Sequence, residues 1–429
     1  MRADDPGAWL FRRASGGIRW GLERTQSLLA GAGDPHRRFR SLHVGGTNGK
    51  GSVSALADAA LRAAHPGLRV GLYTSPHLVS FTERIRVEGV PIAREALAAA
   101  EDRLRGAVEA GGATFFEATT ALAFLCFAHA GVDVAVVEVG LGGRLDSTNV
   151  IAPLVTAVTN VALDHTDYLG DTLEQIAFEK AGIFKPGVPA LVGETAPGPL
   201  AVLRARAAEV GAPLVELDDA ARTAAVAVSL EGTRFRLESR RWGNRELRIP
   251  LVGAHQARNA ALAAELLGLL PDDLRPSWDA IESGFAAVRW PGRLQVERRH
   301  GLTWIFDVAH NPAGVRSLVD ALRTLDLPHP VVLLTAILGD KAWDEMLPPL
   351  LEHADAAILT IAPSAPASRR WDPEAAAESL GASIPVRVIP TLADALSRAT
   401  TLAPYGTVLV TGSVHTVGDA LRELGIAAV

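Results

Sequence analysis

Residues Ser41-Leu42-His43-Val44-Gly45-Gly46-Thr47-Asn48-Gly49-Lys50-Gly51-Ser52 set a short apolar strand, a glycine-rich turn, a lysine and a hydroxyl directly before an alanine-rich run, Val53 to Ala64. A strand that turns on glycines into a helix predicts the phosphate-cradling unit of an α/β sheet. Glycines let successive backbone N–H groups face phosphate oxygens, and the helix N-terminus adds partial positive charge. On that reading Thr47, Asn48, Gly49, Lys50, Gly51 and Ser52 form a phosphate cradle, with Lys50 on the β/γ-phosphates and Ser52 on Mg²⁺. The spacing departs from G-x-x-x-x-G-K-[ST], because Val44 stands five before Gly49 and Gly51 follows Lys50.

At 429 residues the chain exceeds one ordinary core, so two domains are expected. Trp290-Pro291-Gly292-Arg293-Leu294 is the clearest linker, giving domains 1–290 and 291–429. A net charge of −6 offers no basic field, which argues against nucleic acid or an anionic membrane as partner. The most apolar stretch, Ala118 to Val139, is broken by His129, Asp133 and Glu138, and MRADDPGAWLFRR lacks a secretory core, so a cytoplasmic home is expected. Cys126, the only cysteine, sits in an apolar helical pattern and reads as a buried thiol.

The rest alternates between strand and helix patterns. Ile18 to Ala30 predicts a helix, and Leu68 to Tyr73 a strand ending in Thr74-Ser75-Pro76-His77-Leu78. Ala93 to Ala110 and Ala118 to Ala130 read as helices. Val132 to Gly140 is apolar enough to be buried on both faces, yet Glu138 closes it. A carboxylate there is costly unless a cation or donors meet it, so a magnesium partner is the economical reading. Leu154 to Thr159 is another strand, and Thr223 to Ile249 alternates like an antiparallel hairpin turning at Glu231-Gly232-Thr233. Past the linker, strands Trp304–Val308, Val331–Ile337, Ala356–Ile361, Val386–Ile389 and Thr407–Thr411 alternate with helices, predicting a second doubly wound sheet. Only four of the 42 basic residues are lysine: Lys50, Lys180, Lys185 and Lys341. A lysine kept in so arginine-rich a chain is a candidate for chemistry that a guanidinium cannot perform.

Several blocks in order carry a resemblance. They are G-T-N-G-K-G-S at 46–52, T-S-P-H-L at 74–78, E-V-G-L-G-G-R-L-D-S-T-N at 138–149 and L-D-H-x-x-x-L-G at 163–170. E-K-A-G-I at 179–183, G-x-H-Q-x-x-N-A at 253–260, P-G-R at 291–293, D-V-A-H-N-P at 307–312 and G-S-x-x-T-V at 412–417 follow. Together they resemble the folylpolyglutamate and dihydrofolate synthases of the Mur ligase superfamily. The resemblance implies an α/β chain of two domains: a P-loop mononucleotide-binding parallel sheet with a small antiparallel edge element, then a Rossmann-like sheet. It implies an ATP-dependent ligase that joins L-glutamate to a pterin- or folate-type carboxylate through an acyl phosphate.

The same resemblance assigns residues. Ser75 and His77 lie by the pterin and the metal, and Phe116 by the pterin. Arg144 orients an acidic substrate and Asp146 faces the growing amide. Ser52, Ser75 and Glu138 serve one Mg²⁺, while His165 and a carbamylated Lys180 serve a second. Asn259 reads the adenine, Arg293 touches ATP phosphate, Asp307 binds ribose or nucleotide, His310 meets the transferred phosphate or the amino acid, and Ser413 lies near the glutamate. Lys50, Asp146, Lys180 and His310 are the expected catalytic set. A monomer is expected.

Two competitors fit less well. A peptidoglycan-type Mur ligase carries a UDP-sugar-binding domain before its phosphate loop, and the roughly forty preceding residues are too few for one. A regulatory GTPase would show Asn-Lys-x-Asp, which the sequence lacks. Dihydropteroate, a folylpolyglutamate, or both remain open as acceptor. Thr114-Phe115-Phe116-Glu117 and Asp307-Val308-Ala309 resemble the bifunctional bacterial enzymes.

Overall fold

Apolar runs separated in the sequence become neighbouring strands in the computed structural model, which describes residues 8–11, 13, 17, 19–64, 66–381 and 383–428. The strands β1 (Arg40–Gly45), β2 (Val70–Tyr73), β3 (Ile85–Val87), β4 (Val90–Pro91), β5 (Val134–Glu138), β6 (Val155–Val158), β7 (Ala190–Val192) and β8 (Leu214–Glu216) form one sheet, in the order β4-β3-β2-β5-β1-β6-β7-β8. From β2 to β8 the pairing is parallel, while β3 and β4 add antiparallel edges. Every residue of β2, β5 and β6 is buried, as near-continuous apolar sequence demands of strands covered on both faces. Register sets Val44 opposite Glu138, Tyr73 opposite Val137 and Gly45 opposite Val158, so four adjacent strands finish level.

The Lys50–Ala64 helix leaves β1 through the glycine turn and is buried from Gly51 to Leu61. The Phe115–His129 helix is apolar all round and buried from Glu117 to Phe127; Thr114 caps it, with Glu117 closing a capping box. Burial pushes the Cys126 thiol up to about 12, which leaves it inert. The expected opening helix runs Glu23–Gly31; Ile18, where the sequence pattern starts it, lies outside the described residues.

A three-stranded sheet has the order β11-β10-β9, from β9 (Ala221–Ser229), β10 (Gly232–Ser239) and β11 (Gly243–Ile249). The alternating stretch read as one hairpin thus turns twice, the second time over Arg240-Arg241-Trp242 into Gly243, whose φ of 71 marks a turn that the sequence reading did not use. The last sheet contains β12 (Gln295–Arg299), β13 (Leu302–Phe306), β14 (Val331–Thr335), β15 (Ala356–Leu359), β16 (Val386–Val388) and β17 (Thr407–Thr411), ordered β12-β13-β17-β14-β15-β16. β12 is antiparallel to β13 and the others pair in parallel. The charged sequence of β12 hides it from an apolar search, as befits an edge strand.

The described residues fall into two compact units. One takes the residues up to 225 with 235–248 and 257–288; the other takes 226–234, 249–256 and the residues from 289 on.

Within the first unit the Trp278–Ala287 helix approaches the phosphate-loop helix closely. A Cβ on Gly284 would come within 2.6 Å of the Ala59 carbonyl oxygen and the Ala60 Cα. Overpacking against backbone costs roughly 1–3 kcal/mol, while exchanging glycine for alanine in a helix returns about 1 kcal/mol at most. Gly284→Ala is therefore expected to lower Tm in a thermal melt despite its better helix propensity; an unchanged or raised Tm would show that the two helices can part freely.

Candidate active site

The C-terminal ends of β2, β5, β1 and β6 deliver four loops to one edge of the first unit's sheet, where parallel α/β sheets collect ligands. In the glycine turn Lys50 Nζ donates to the carbonyls of Gly46 (3.0 Å) and Thr47 (3.1 Å). The turn is braced from the β6 loop: Asn160 accepts from Asn48 N (3.0 Å), and Thr47 Oγ1 accepts from Ala162 N (3.0 Å). Gly49 has φ +85, and Asn259 Oδ1 lies 2.6 Å from where its Cβ would be. That places the expected adenine reader directly on the phosphate loop. Ser52, one turn into the helix, is buried and its Oγ has no hydrogen-bond partner.

Glu138 is buried at the end of β5, and its Oε2 accepts from Ser75 N at 2.9 Å. The β2 loop is tied down by Glu83, whose carboxylate accepts from the backbone N–H groups of Leu78, Val79 and Ser80. His77 Nδ1 accepts from Arg84 Nε at 2.8 Å, and the imidazole stands edge-on to Phe11 and Phe81. Arg84 itself lies over Phe81 and Phe115. Phe116 faces Tyr73, with ring centroids 6.5 Å apart, and its ring fills the space a side chain on Gly140 would need.

The glycine loop after β5 is clasped to the helix Leu173–Ala181. Arg144 N donates to the Glu179 carbonyl (2.8 Å), its guanidinium pairs with the Glu179 carboxylate (2.8 Å), and Asn149 Nδ2 reaches both Arg144 O and Gly182 O. Arg144 thereby helps to hold the loop, with its side chain still 42% exposed. The Asp146 carboxylate accepts from Leu141 N (2.8 Å), Thr148 N (2.9 Å) and the Thr148 hydroxyl. Burial pushes its pKa up, and these bonds pull the other way.

Lys180 is buried within this clasp. Desolvation, then the charge of Lys50, pull its ammonium down to about 7, against Asp164 and Asp146, which favour the proton. His165 follows Asp164 in left-handed backbone (φ 53), with Asp164 Oδ1 3.8 Å from its Nε2. The structure thus gathers Lys50, Ser52, Ser75, Glu138, Asp146, Lys180 and Asn259 around one set of strand ends, with His165 next to the aspartate that acts on Lys180.

In the second unit Asp307 is buried just past β13 and accepts from Leu294 N (2.9 Å) and Ala309 N (2.8 Å), which pins the segment carrying Arg293. Burial pushes Asp307 up, and Arg293 opposes it. His310 Nδ1 lies 2.9 Å from Val308 O. Ser413, past the adjacent β17, caps the Val414–Glu423 helix through Thr416 N (3.1 Å), and His415 Nδ1 meets Ser364 Oγ at 2.9 Å. Lys341 follows Asp340, which Arg369 grips at 2.7 Å.

Residues 44–267 match the Mur ligase middle domain, and residues 292–414 match the Mur ligase glutamate ligase domain. The chain belongs to the Mur ligases, in the folylpolyglutamate and dihydrofolate synthase family. A dihydrofolate synthase/folylpolyglutamate synthase of Bacillus subtilis is 38% identical over 353 residues, 80% of this chain and 81% of the relative. The structure of Mycobacterium tuberculosis folylpolyglutamate synthase complexed with ADP superposes with a TM-score of 0.89 at 35% identity, covering 98% of this chain and 97% of the other. E. coli FolC in complex with DHPP and ADP gives 0.87 at 34% identity, with 99% of each chain covered.

As a Mur ligase site, this one contains groups that sequence reading passed over. Glu83 was legible as the last residue of the capping pattern Ser80-Phe81-Thr82-Glu83. Arg84 and Asp164 had no such cue. His255, held neutral by burial and by Arg293 with its pKa down at about 4, sits inside the G-x-H-Q block and was read only as the start of a helix. Among the described residues no group of three His, Cys, Asp or Glu side chains is arranged to hold a metal, and no helix is long and apolar enough to cross a membrane. The orphaned, buried Ser52 hydroxyl and the buried Glu138 carboxylate nonetheless suit a hard cation, whose ligands are oxygens.

Lys180 makes stability depend on pH in this Mur ligase. A folded-state pKa near 7 against 10.5 unfolded costs stability progressively as pH falls from about 10.5 to 7, and the full cost persists below. Lys180→Met, which removes the amine, is expected to raise Tm in metal-free melts at pH 6.5, and the gain should shrink by pH 10. A gain independent of pH would mean the amine is ordinarily solvated.

Proposed function

We propose that this chain joins L-glutamate to a folate-type carboxylate at the cost of ATP, releasing ADP and phosphate. The observation that carries the reading is the convergence of Lys50 and Ser52, Glu138 and Lys180, from three different stretches of sequence, at one set of strand ends. The E. coli relative is bound to DHPP and ADP, which supports both substrate classes. We assign residues 1–290 to the nucleotide and acceptor, and 291–429 to glutamate, and expect a cytoplasmic monomer.

A carboxylate resists an amine because oxide leaves poorly, so the acceptor is first phosphorylated by ATP. The turn from Thr47 to Ser52 cradles the phosphates, Lys50 neutralises the charge that builds on the transferred group, and Asn259 and Arg293 hold the nucleotide. Ser75, His77 and Phe116 position the pterin, and Asp146 keeps the acceptor end of the glycine loop in shape. His310 and Ser413, with Asp307 fixing the segment of Arg293, present glutamate, whose amine displaces phosphate from the acyl phosphate.

Two Mg²⁺ ions suit the residues present, one on Ser52, Ser75 and Glu138, one on His165 and Lys180, and when bound they supply charge neutralisation of phosphate oxygens. A buried lysine whose pKa is drawn to about 7 keeps much of its amine neutral near neutral pH. Such an amine adds to CO₂ and sheds one proton, giving the carbamate anion that a metal ligand requires. Arginine could not do this.

Purified protein with ATP, Mg²⁺ and glutamate should release phosphate only when an acceptor is added. Mass spectrometry should show one added glutamyl residue on dihydropteroate and further additions on tetrahydrofolate. Phosphate release without a glutamylated product, on either acceptor, would sink the reading. Lys180→Arg should abolish turnover, and the wild type should gain activity from added bicarbonate after CO₂-free dialysis.

A further inference from the structure

His43 is the fourth residue of β1, fully buried between Val137 of β5 and Thr156 of β6. An aliphatic side chain would serve that core position with no polar atoms to bury. Its Nε2 lies 2.9 Å from Thr148 Oγ1, and Nδ1 has no hydrogen-bond partner. Thr148 is also fully buried, and its hydroxyl reaches Asp146 Oδ1.

Proton counting fixes the direction of this chain. The Asp146 carboxylate already accepts two backbone N–H groups, from Leu141 and Thr148, and as an ionised acceptor it takes the single Thr148 hydroxyl proton as a third. Thr148 Oγ1 can then only accept from His43, so Nε2 carries the imidazole proton and Nδ1 is a bare lone pair. The absence of any partner for Nδ1 agrees with that tautomer. Without the imidazole, the Thr148 hydroxyl keeps an acceptor but loses the donor that fixes its rotation.

We propose that His43 is a positioning residue of the active site: its Nε2–H locks the Thr148 hydroxyl onto Asp146 and so sets the shape of the glycine loop from Gly140 to Asn149. That loop is the one Arg144 and Asn149 clasp to the helix of Lys180. A side chain within the sheet thereby controls a loop above the strand ends. The catalytic consequence rests on the ligase reading above; the hydrogen-bond direction does not.

The test uses His43→Leu, His43→Gln, Thr148→Val and the His43→Leu/Thr148→Val double variant of the full chain. His43→Leu and Thr148→Val should each lower kcat about tenfold by loosening a placed group, with KM for ATP unchanged. His43→Gln, whose amide can donate to Thr148, should recover most of the loss. The double variant should be no worse than the poorer single one, because both remove the same link. In ¹⁵N–¹H spectra the imidazole proton should sit on Nε2 and its resonance should move in Thr148→Val. Losses that multiply in the double variant, equal losses in His43→Leu and His43→Gln, or a proton on Nδ1 would each overturn the proposal. If the wild type does not ligate glutamate, the functional reading fails, and the imidazole spectra with the Tm values of the same four variants still decide whether the link exists.

Discussion

Lys180 is buried, and desolvation and then the nearby charge of Lys50 make its proton harder to hold. A charge held out of water beside a second cation is costly, so a fold that buries an ammonium near a half-buried one must set carboxylates beside it or let it go neutral. This one does both in part. Asp164 and Asp146 draw the Lys180 proton in, while desolvation and Lys50 push it out, and the balance comes to rest near neutral pH. A single fixed cation would suit phosphate binding alone. A cation beside an amine poised between its two states suits the carbamylation of Lys180 proposed above.

Holding that balance requires rigid placement, and the clasp between the glycine loop and the Leu173–Ala181 helix supplies it. Each contact fixes both partners at once: Arg144 engages the Glu179 backbone and side chain together, and Asn149 bridges the carbonyls of Arg144 and Gly182. Three of these act on backbone atoms, so the helix end that bears Lys180 cannot shift without breaking several bonds. Glu83 performs the same service for the β2 loop, with one carboxylate gathering three backbone N–H groups.

The chain announces some of this and conceals the rest, for identifiable reasons. The glycine turn and Glu138 were legible because a glycine-lysine junction after an apolar strand, or a carboxylate closing one, has few inexpensive explanations. The register that brings Gly45, Glu138 and Val158 level was not, since strand order depends on packing between segments about a hundred residues apart. β12 was missed because edge strands need no apolar pattern, and the three-stranded sheet was read as two strands although Gly243, in left-handed backbone, marks its second turn. Arg144 shows what a charge's sign leaves out: its ion pair with Glu179 on the neighbouring helix depends on packing that the loop's own sequence does not display.

The scarcity of lysine carried more physical content than a composition count usually does. Of the four, Lys180 and Lys185 both have their proton affinity lowered by burial, and Lys185 donates at 3.2 Å to the Asn149 carbonyl within the same clasp. Burial, and after it the charge of Lys185, lower the pKa of His43, which keeps the imidazole neutral with its Nε2 proton a donor to Thr148 and its Nδ1 bare. An arginine in place of Lys185 would hold its charge at every pH and would bring a five-donor fork where the lysine makes one carbonyl contact. Lysine meets the same carbonyl with a smaller head. Two lysines five residues apart therefore favour lysine over arginine on separate grounds: at Lys180 the group must be able to lose its proton, and at Lys185 a single ammonium meets the Asn149 carbonyl.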